Sequence, residues 1–214
     1  MDVGCATQSV IYSPTCNLPP KPLEQGDVQF LCGIGEMPEA RPHKSKEETA
    51  KGFEGTFRIA AFDWLSLQIK YWKDISDNDK VSRNGYAFST IFIPKKDLYN
   101  FDIGIMPEAI FLYGDGSCLG GGGMLRLCTW APNISIIHIY GSLGYGYGVH
   151  DAYDVGDKWG WLIVGNIGSS ILLFDHITFN LELSAVKQYN NYEDLNDHFL
   201  IPSWNVGIKF DPFY

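Results

Sequence analysis

Charge is scarce in this chain, and basic charge scarcer still. Of its 214 residues 19% are charged, with 16 Lys and Arg against 25 Asp and Glu, a formal net charge of -9. No basic stripe exists to neutralise phosphates, which argues against a nucleic-acid partner. Long apolar runs are also lacking: none reaches the ~18 residues of a membrane helix, and no apolar signal core is present. That absence leaves one route through a bilayer, because barrel strands span ~10 residues and are apolar only at alternate positions. The Ala, Leu, Glu and Lys surplus of long helices is missing, as is a sustained 3.6-residue apolar period, so few helices are expected. No Cys-x-x-Cys pair or Cys/His spacing suggests zinc, and no glycine loop precedes a Lys-Ser/Thr phosphate cradle. No cofactor or metal is expected.

Glycine (23 residues) and aromatics (14%) are what the chain has in plenty. Residues 1–27 form a leader whose "ATQSVIYSPTCNLPPKPLEQGD" is polar, Pro-rich and extended. From Val28 apolar alternation begins, broken by turns. Short connections at 62–64, 94–97, 131–133 and 174–176 alternate with longer polar ones at 36–52, 73–84, 114–120, 150–158 and 188–198. Strict alternation of short and long is the plan of an up-and-down antiparallel barrel, with tight turns at one rim and loops at the other. Ten strands fit, near 28–35, 53–62, 65–73, 84–93, 99–113, 120–130, 134–149, 159–173, 175–187 and 200–212, with eight as the lower count. The expected fold is all-β, a closed barrel of 8–10 strands over 28–214, both termini and the leader lying at the short-turn rim.

Within strands the period is two. In "LSLQIKYW" Leu65, Leu67, Ile69 and Tyr71 share one face, and Ser66, Gln68, Lys70 and Trp72 the other. The polar faces are built from Gly, Ser and Asn, which suits a crowded lumen better than a solvated exterior. Aromatics gather at strand ends, with Trp64, Tyr99, Trp130 and Phe174 by the short turns and Tyr71, Tyr86, Tyr113, Tyr145, Tyr147, Trp159 and Trp161 toward the loops. Two such belts are what bilayer interfaces select, so the apolar face is expected outward and lipid is an expected partner. The lumen is then expected to carry Arg58, Lys70, Asp102, Glu108, Arg126, His138, Glu182 and Lys209, mixed charges that pair as an internal plug.

The cysteine count is odd: Cys5, Cys16, Cys32, Cys118 and Cys128. Four can pair in an oxidising compartment, with Cys118 and Cys128 placed to clip a loop to its strand. Cys5, in "VGC", fits the end of a lipoprotein cleavage site and is the lipidation candidate. Asp2 fits that site badly, and an incidental free thiol is the plain alternative.

Taken together, the leader "CATQSVIYSPTCNLPPKPLEQGDVQFLCGIG", the Gly- and aromatic-rich hairpins and the closing strand "IPSWNVGIKFDPFY" resemble small outer-membrane β-barrel proteins of Gram-negative bacteria, of the Bacteroidota type. The resemblance implies an outer-membrane location, a terminal aromatic signal among Phe210, Phe213 and Tyr214, and an acylated Cys5 ahead of Tyr12-Ser13-Pro14.

Chemical constellations are thin. "HIYGSLGYGYGVH" (138–150) reads as a strand with glycine on its lumen face, and "GDGSCLGGGG" (114–123) as a loop tip rather than a calcium loop. His138 with Ser135 or Ser142, oriented by Glu182, is the one triad that can be composed. The expected role is a non-enzymatic barrel that serves as a structural or docking subunit of a membrane-associated assembly, with protein partners. A lipid-modifying enzyme with a lumen histidine and a soluble lipocalin-like binding barrel are the alternatives.

Overall fold

A computed structural model describes residues 8–9, 15–19, 21–40, 48–74, 83–98, 101–114, 117–131, 137–152, 156–173, 176–190 and 196–210. Its strands are β1 (Gln8–Ser9), β2 (Val28–Ala40), β3 (Glu48–Phe62), β4 (Leu65–Asp74), β5 (Arg83–Leu98), β6 (Phe101–Gly114), β7 (Ser117–Trp130), β8 (Ile137–Ala152), β9 (Gly156–Leu173), β10 (Ile177–Asn190) and β11 (Asn196–Phe210). β2 to β11 pair antiparallel with their sequence neighbours, and β2 also pairs with β11, from Val28↔Phe210 to Gly35↔Ser203. Setting the two-residue β1 aside, the eleven-stranded sheet is a ring of ten. Closure gives each strand from β2 to β11 a partner on both sides.

Several strands run further than alternation suggests. β2 and β3 stay paired as far as Glu39↔Glu48, inside the stretch expected to be a loop. Backbone pairing satisfies N–H and C=O groups whatever the side chains are, so it outlasts the apolar pattern. The run at 114–123 is corrected the same way: Ser117–Trp130 is strand, with an irregularity opposite Leu112 and Tyr113 rather than a loop tip.

Facing decides the environment. Phe57, Ile69, Phe88, Ile105, Phe111, Leu125, Leu143, Ile167 and Leu181 are all exposed, while Gln29, Arg58, Lys70, Arg126, Asn180 and Ser184 are at most 2% exposed. A soluble lipocalin-like barrel has the opposite arrangement, so that alternative is overturned. On β6 the outward face from Ile103 to Tyr113 covers ten residue steps. At ~3.3 Å per step and a tilt of ~40° this spans about 25 Å, the height of a bilayer's apolar band. Phe62, Trp64 and Phe92 cluster at the short-turn end of that band, and Tyr71, Tyr86 and Tyr113 at the other. The chain is a transmembrane-type β-barrel. Trp130, expected in the belt, instead points inward and is 2% exposed, because it shares the parity of Arg126 and Cys128.

The leader departs most from expectation. Its end is at the short-turn rim, where Gly26 donates to the Ala60 carbonyl and Ala60 to that of Asp27. From there the chain runs back inside the barrel: Pro19 lies at Trp130, Asn17 at Arg58 and Thr15 at Lys70. β1 then pairs with the far end of β2, Gln8↔Ala40 and Ser9↔Glu39, at the loop rim. Residues 15–19 of the leader thus lie within the lumen and Gln8–Ser9 at the loop rim, rather than at the short-turn rim.

Candidate functional site

The lumen is crowded by design of its two faces. On β8 the "GYGYG" glycines face inward, and a Cβ on Gly144 would lie 2.9 Å from Arg126 Cγ and 3.0 Å from Met124 Sδ. Glycine there makes room for the long side chains of β7. Gly168 does the same for Tyr140, whose Cζ would be 2.1 Å from an added Cβ.

Within this space Glu54, Glu108 and Glu182 are buried together with Arg58, Lys70 and Arg126. Arg126 Nε meets Glu108 Oε2 at 3.0 Å, and Lys70 Nζ lies 3.8 Å from Glu54 Oε1. Arg58 and Glu182 are served differently. Arg58 donates to Gln29 and Gln68 and, through Nη2, to the Asn17 carbonyl at 2.6 Å. Glu182 accepts from the backbone N–H of Cys16 (2.6 Å) and of Asn17 (3.0 Å), from Tyr140 Oη (2.9 Å) and from Asn166 Nδ2 (2.9 Å).

The main chain of the leader thus lies between a buried guanidinium and a buried carboxylate. Asn17 has φ 52°, the left-handed conformation that Asn tolerates better than most residues. There consecutive N–H groups converge on one anion, a geometry with which backbone binds carboxylates and phosphates. Thr15 completes the anchoring. Lys70 Nζ donates to its carbonyl (2.6 Å) and to Oγ1 (2.7 Å), and Asn17 Nδ2 reaches Glu54 Oε2 at 2.9 Å. Trp130 Nε1 donates to the Pro19 carbonyl at 2.9 Å. Burying these charges is costly unless each is bonded, and the leader supplies part of that bonding.

Of the residues expected in the lumen, Arg58, Lys70, Glu108, Arg126, His138 and Glu182 are buried there, and Asp102 shares their parity but is part-exposed near the rim. Lys209 pairs with Gln29 across the β2–β11 ladder, and its side chain lies outside the described residues. Cys5, Ser135, Phe213 and Tyr214 also lie outside them. Alternation alone did not single out Glu54, Tyr140 or Asn166, although all three have inward parity. Asn166 links two systems by accepting from Arg126 Nη1 (2.6 Å) and Ser142 Oγ (2.9 Å) while donating to Glu182.

The Ser142 form of the composed triad is not brought together, and Ser135 lies outside the described residues. His138 and Ser142 are four residues apart on β8, about 13 Å at ~3.3 Å per residue, beyond hydrogen-bond reach. Ser142 is bonded to Asn166, and Glu182 to the leader and Tyr140. One disulfide expectation, the Cys118–Cys128 clip, is also corrected. Cys118 and Cys128 are ten residues apart on one strand, about 33 Å at ~3.3 Å per residue, and cannot bridge. The sulfurs of Cys16, Cys32 and Cys128 are unbridged in this structure. Among the described residues no His, Cys, Asp and Glu side chains group as a metal-ligand set.

Outside, an apolar groove of about 610 Å³ lies between Phe57, Leu67, Ile69, Phe88 and Ala109. It opens on the lipid-facing wall and suits acyl chains.

No family model and no curated protein matches this sequence. Among solved structures, the outer membrane protease OmpT from Escherichia coli is similar with a TM-score of 0.49 at 9% identity, covering 90% of this chain and 99% of that one. OprG from Pseudomonas aeruginosa gives a TM-score of 0.37 at 16% identity, over 87% of this chain and 97% of that one. Ail, the attachment invasion locus protein of Yersinia pestis, gives 0.33 at 12% identity, over 87% of this chain and 99% of that one. Likeness at this level conveys no activity, and the barrel described above stands on its own strand pairing.

Proposed function

We propose that this protein is an outer-membrane barrel of a Gram-negative bacterium that neither transports nor catalyses, and serves as a structural or docking subunit of a membrane-associated assembly. The observation that carries the reading is the filled lumen: the leader lies where a solute would pass, held by Arg58, Lys70, Trp130 and Glu182. With the lumen occupied by the chain itself and the outer wall matched to lipid, the rims are the surfaces left for partners. Acylation of Cys5 belongs to the same proposal. Because Gln8–Ser9 sits at the loop rim, the acyl chain enters the bilayer from the loop side.

The test is isolation of the native protein from membranes in mild detergent. Defined subunits at fixed stoichiometry are expected, and a protein that emerges alone overturns the docking role. A lipid profile that changes on deletion, and is not restored by a His138→Ala protein that still folds, overturns the non-enzymatic part.

A further inference from the structure

Two thiols sit deep in the lumen beside the polar anchoring. Cys16, on the leader, is 1% exposed and Cys128, on β7, is 0% exposed, in one cluster with Leu18, Met106, Trp130 and Tyr140. That shared cluster brings the two thiols into one buried contact region of the lumen. The backbone bonds of Cys16 and Asn17 to Glu182, and the Trp130–Pro19 bond, hold the leader on both sides of this contact. Among the described residues the other two cysteines are closed off by position. Cys32 is on the outward parity of β2 with Phe30 and Ile34, separated from the lumen by the wall, and Cys118 is at the other end of β7.

We propose that Cys16 and Cys128 form a disulfide that fastens the leader to the barrel wall. Two S–H bonds break and one S–S bond forms. The two electrons and two protons pass to the disulfide of a dithiol–disulfide oxidoreductase, whose own S–S bond opens to two thiols. Since both sulfurs are sealed from solvent once the leader is seated, this exchange belongs to folding, before the plug is buried. The bond encloses residues 16–128, which include β2 to β6 and nearly all of β7, so the leader becomes captive to the fold. The oxidising compartment is the periplasm, and in that respect the inference rests on the outer-membrane reading.

The test takes the wild-type protein from fractionated membranes, blocks free thiols with iodoacetamide during denaturation without reductant, and maps its peptides by mass. A Cys16–Cys128 linked peptide is expected, with neither residue carbamidomethylated. Cys16 and Cys128 both carbamidomethylated, or either joined to another cysteine, overturns the proposal. Fractionation reports the location independently, so reduced thiols in an outer-membrane protein sink the bridge alone. As a second arm, Cys128→Ala is expected to turn Cys16 into an alkylatable thiol in denatured, unreduced protein. Cys16 equally alkylated in wild type and variant overturns the bridge, whether or not the variant folds.

Discussion

Replacing Glu182 with Ala is the sharpest single perturbation of the plug. The carboxylate receives two leader amides, Cys16 N at 2.6 Å and Asn17 N at 3.0 Å. Hydrogen bonds to a charged group contribute about 1.5–3 kcal/mol each, so the leader loses about 3–6 kcal/mol of its attachment. At about 1.4 kcal/mol per decade, local opening of the segment rises by roughly 10²- to 10⁴-fold. Hydrogen exchange reads this directly, since the two amides are the groups bonded to Glu182. Their protection is expected to fall by that factor in Glu182→Ala, while ladder amides such as Val164 on β9 keep theirs. Glu182→Gln, which retains one acceptor oxygen, is expected to fall between. Protection of Cys16 and Asn17 unchanged within about threefold refutes the assignment of Glu182 as the leader's anchor.

Further outcomes follow from packing and facing. Gly168→Ala places a methyl 2.1 Å from Tyr140 Cζ; the ring must move off Glu182, at a cost of about 1–3 kcal/mol in urea unfolding. Leu143, 60% exposed and mid-way along the outer face of β8, is expected to cost about 2–4 kcal/mol as Arg in folding into phospholipid vesicles. The same change has little effect if water rather than lipid covers that face. In planar bilayers the wild-type barrel is expected to show no steady conductance, and an open-pore current in it contradicts the filled lumen.

Much of the fold was legible because its period is so regular. Leu67, Ile69 and Tyr71 against Gln68, Lys70 and Trp72 separated the lipid face from the lumen face, as the buried and exposed residues of β4 bear out. The direction of that pattern was legible too, from Gly, Ser and Asn where a water-facing wall has charge. Strand ends were less so, since the ladder of β2 and β3 continues through polar residues to Glu39↔Glu48. Trp130 was misplaced because an aromatic near a turn satisfies the belt rule whichever way it points, and only its parity with Cys128 turns it inward.

The leader was illegible for a different reason. Thr15 to Pro19 have no period, and their partners are single side chains from β3, β4, β7 and β10, dispersed between residues 54 and 182. Compositional cues read such a segment as extended, which it is, and cannot tell an extended tail outside a barrel from one inside it. The charges of the lumen were read as pairing with each other. In fact Arg58 and Glu182 use the leader's own main chain.

The central claim is that this leader threads the barrel from the short-turn rim to the loop rim. The register Ser9↔Glu39 gives its most direct measurement. With Ser9→Cys and Glu39→Cys in a background where the native cysteines are replaced by Ser, a short bismaleimide applied to the membrane-embedded protein is expected to join the two within one chain. The product is expected to show a Ser9–Glu39 cross-linked peptide. A leader that stays at the short-turn rim gives no such link and instead joins Ser9→Cys to a cysteine placed at Asp63, and that outcome contradicts the threaded barrel.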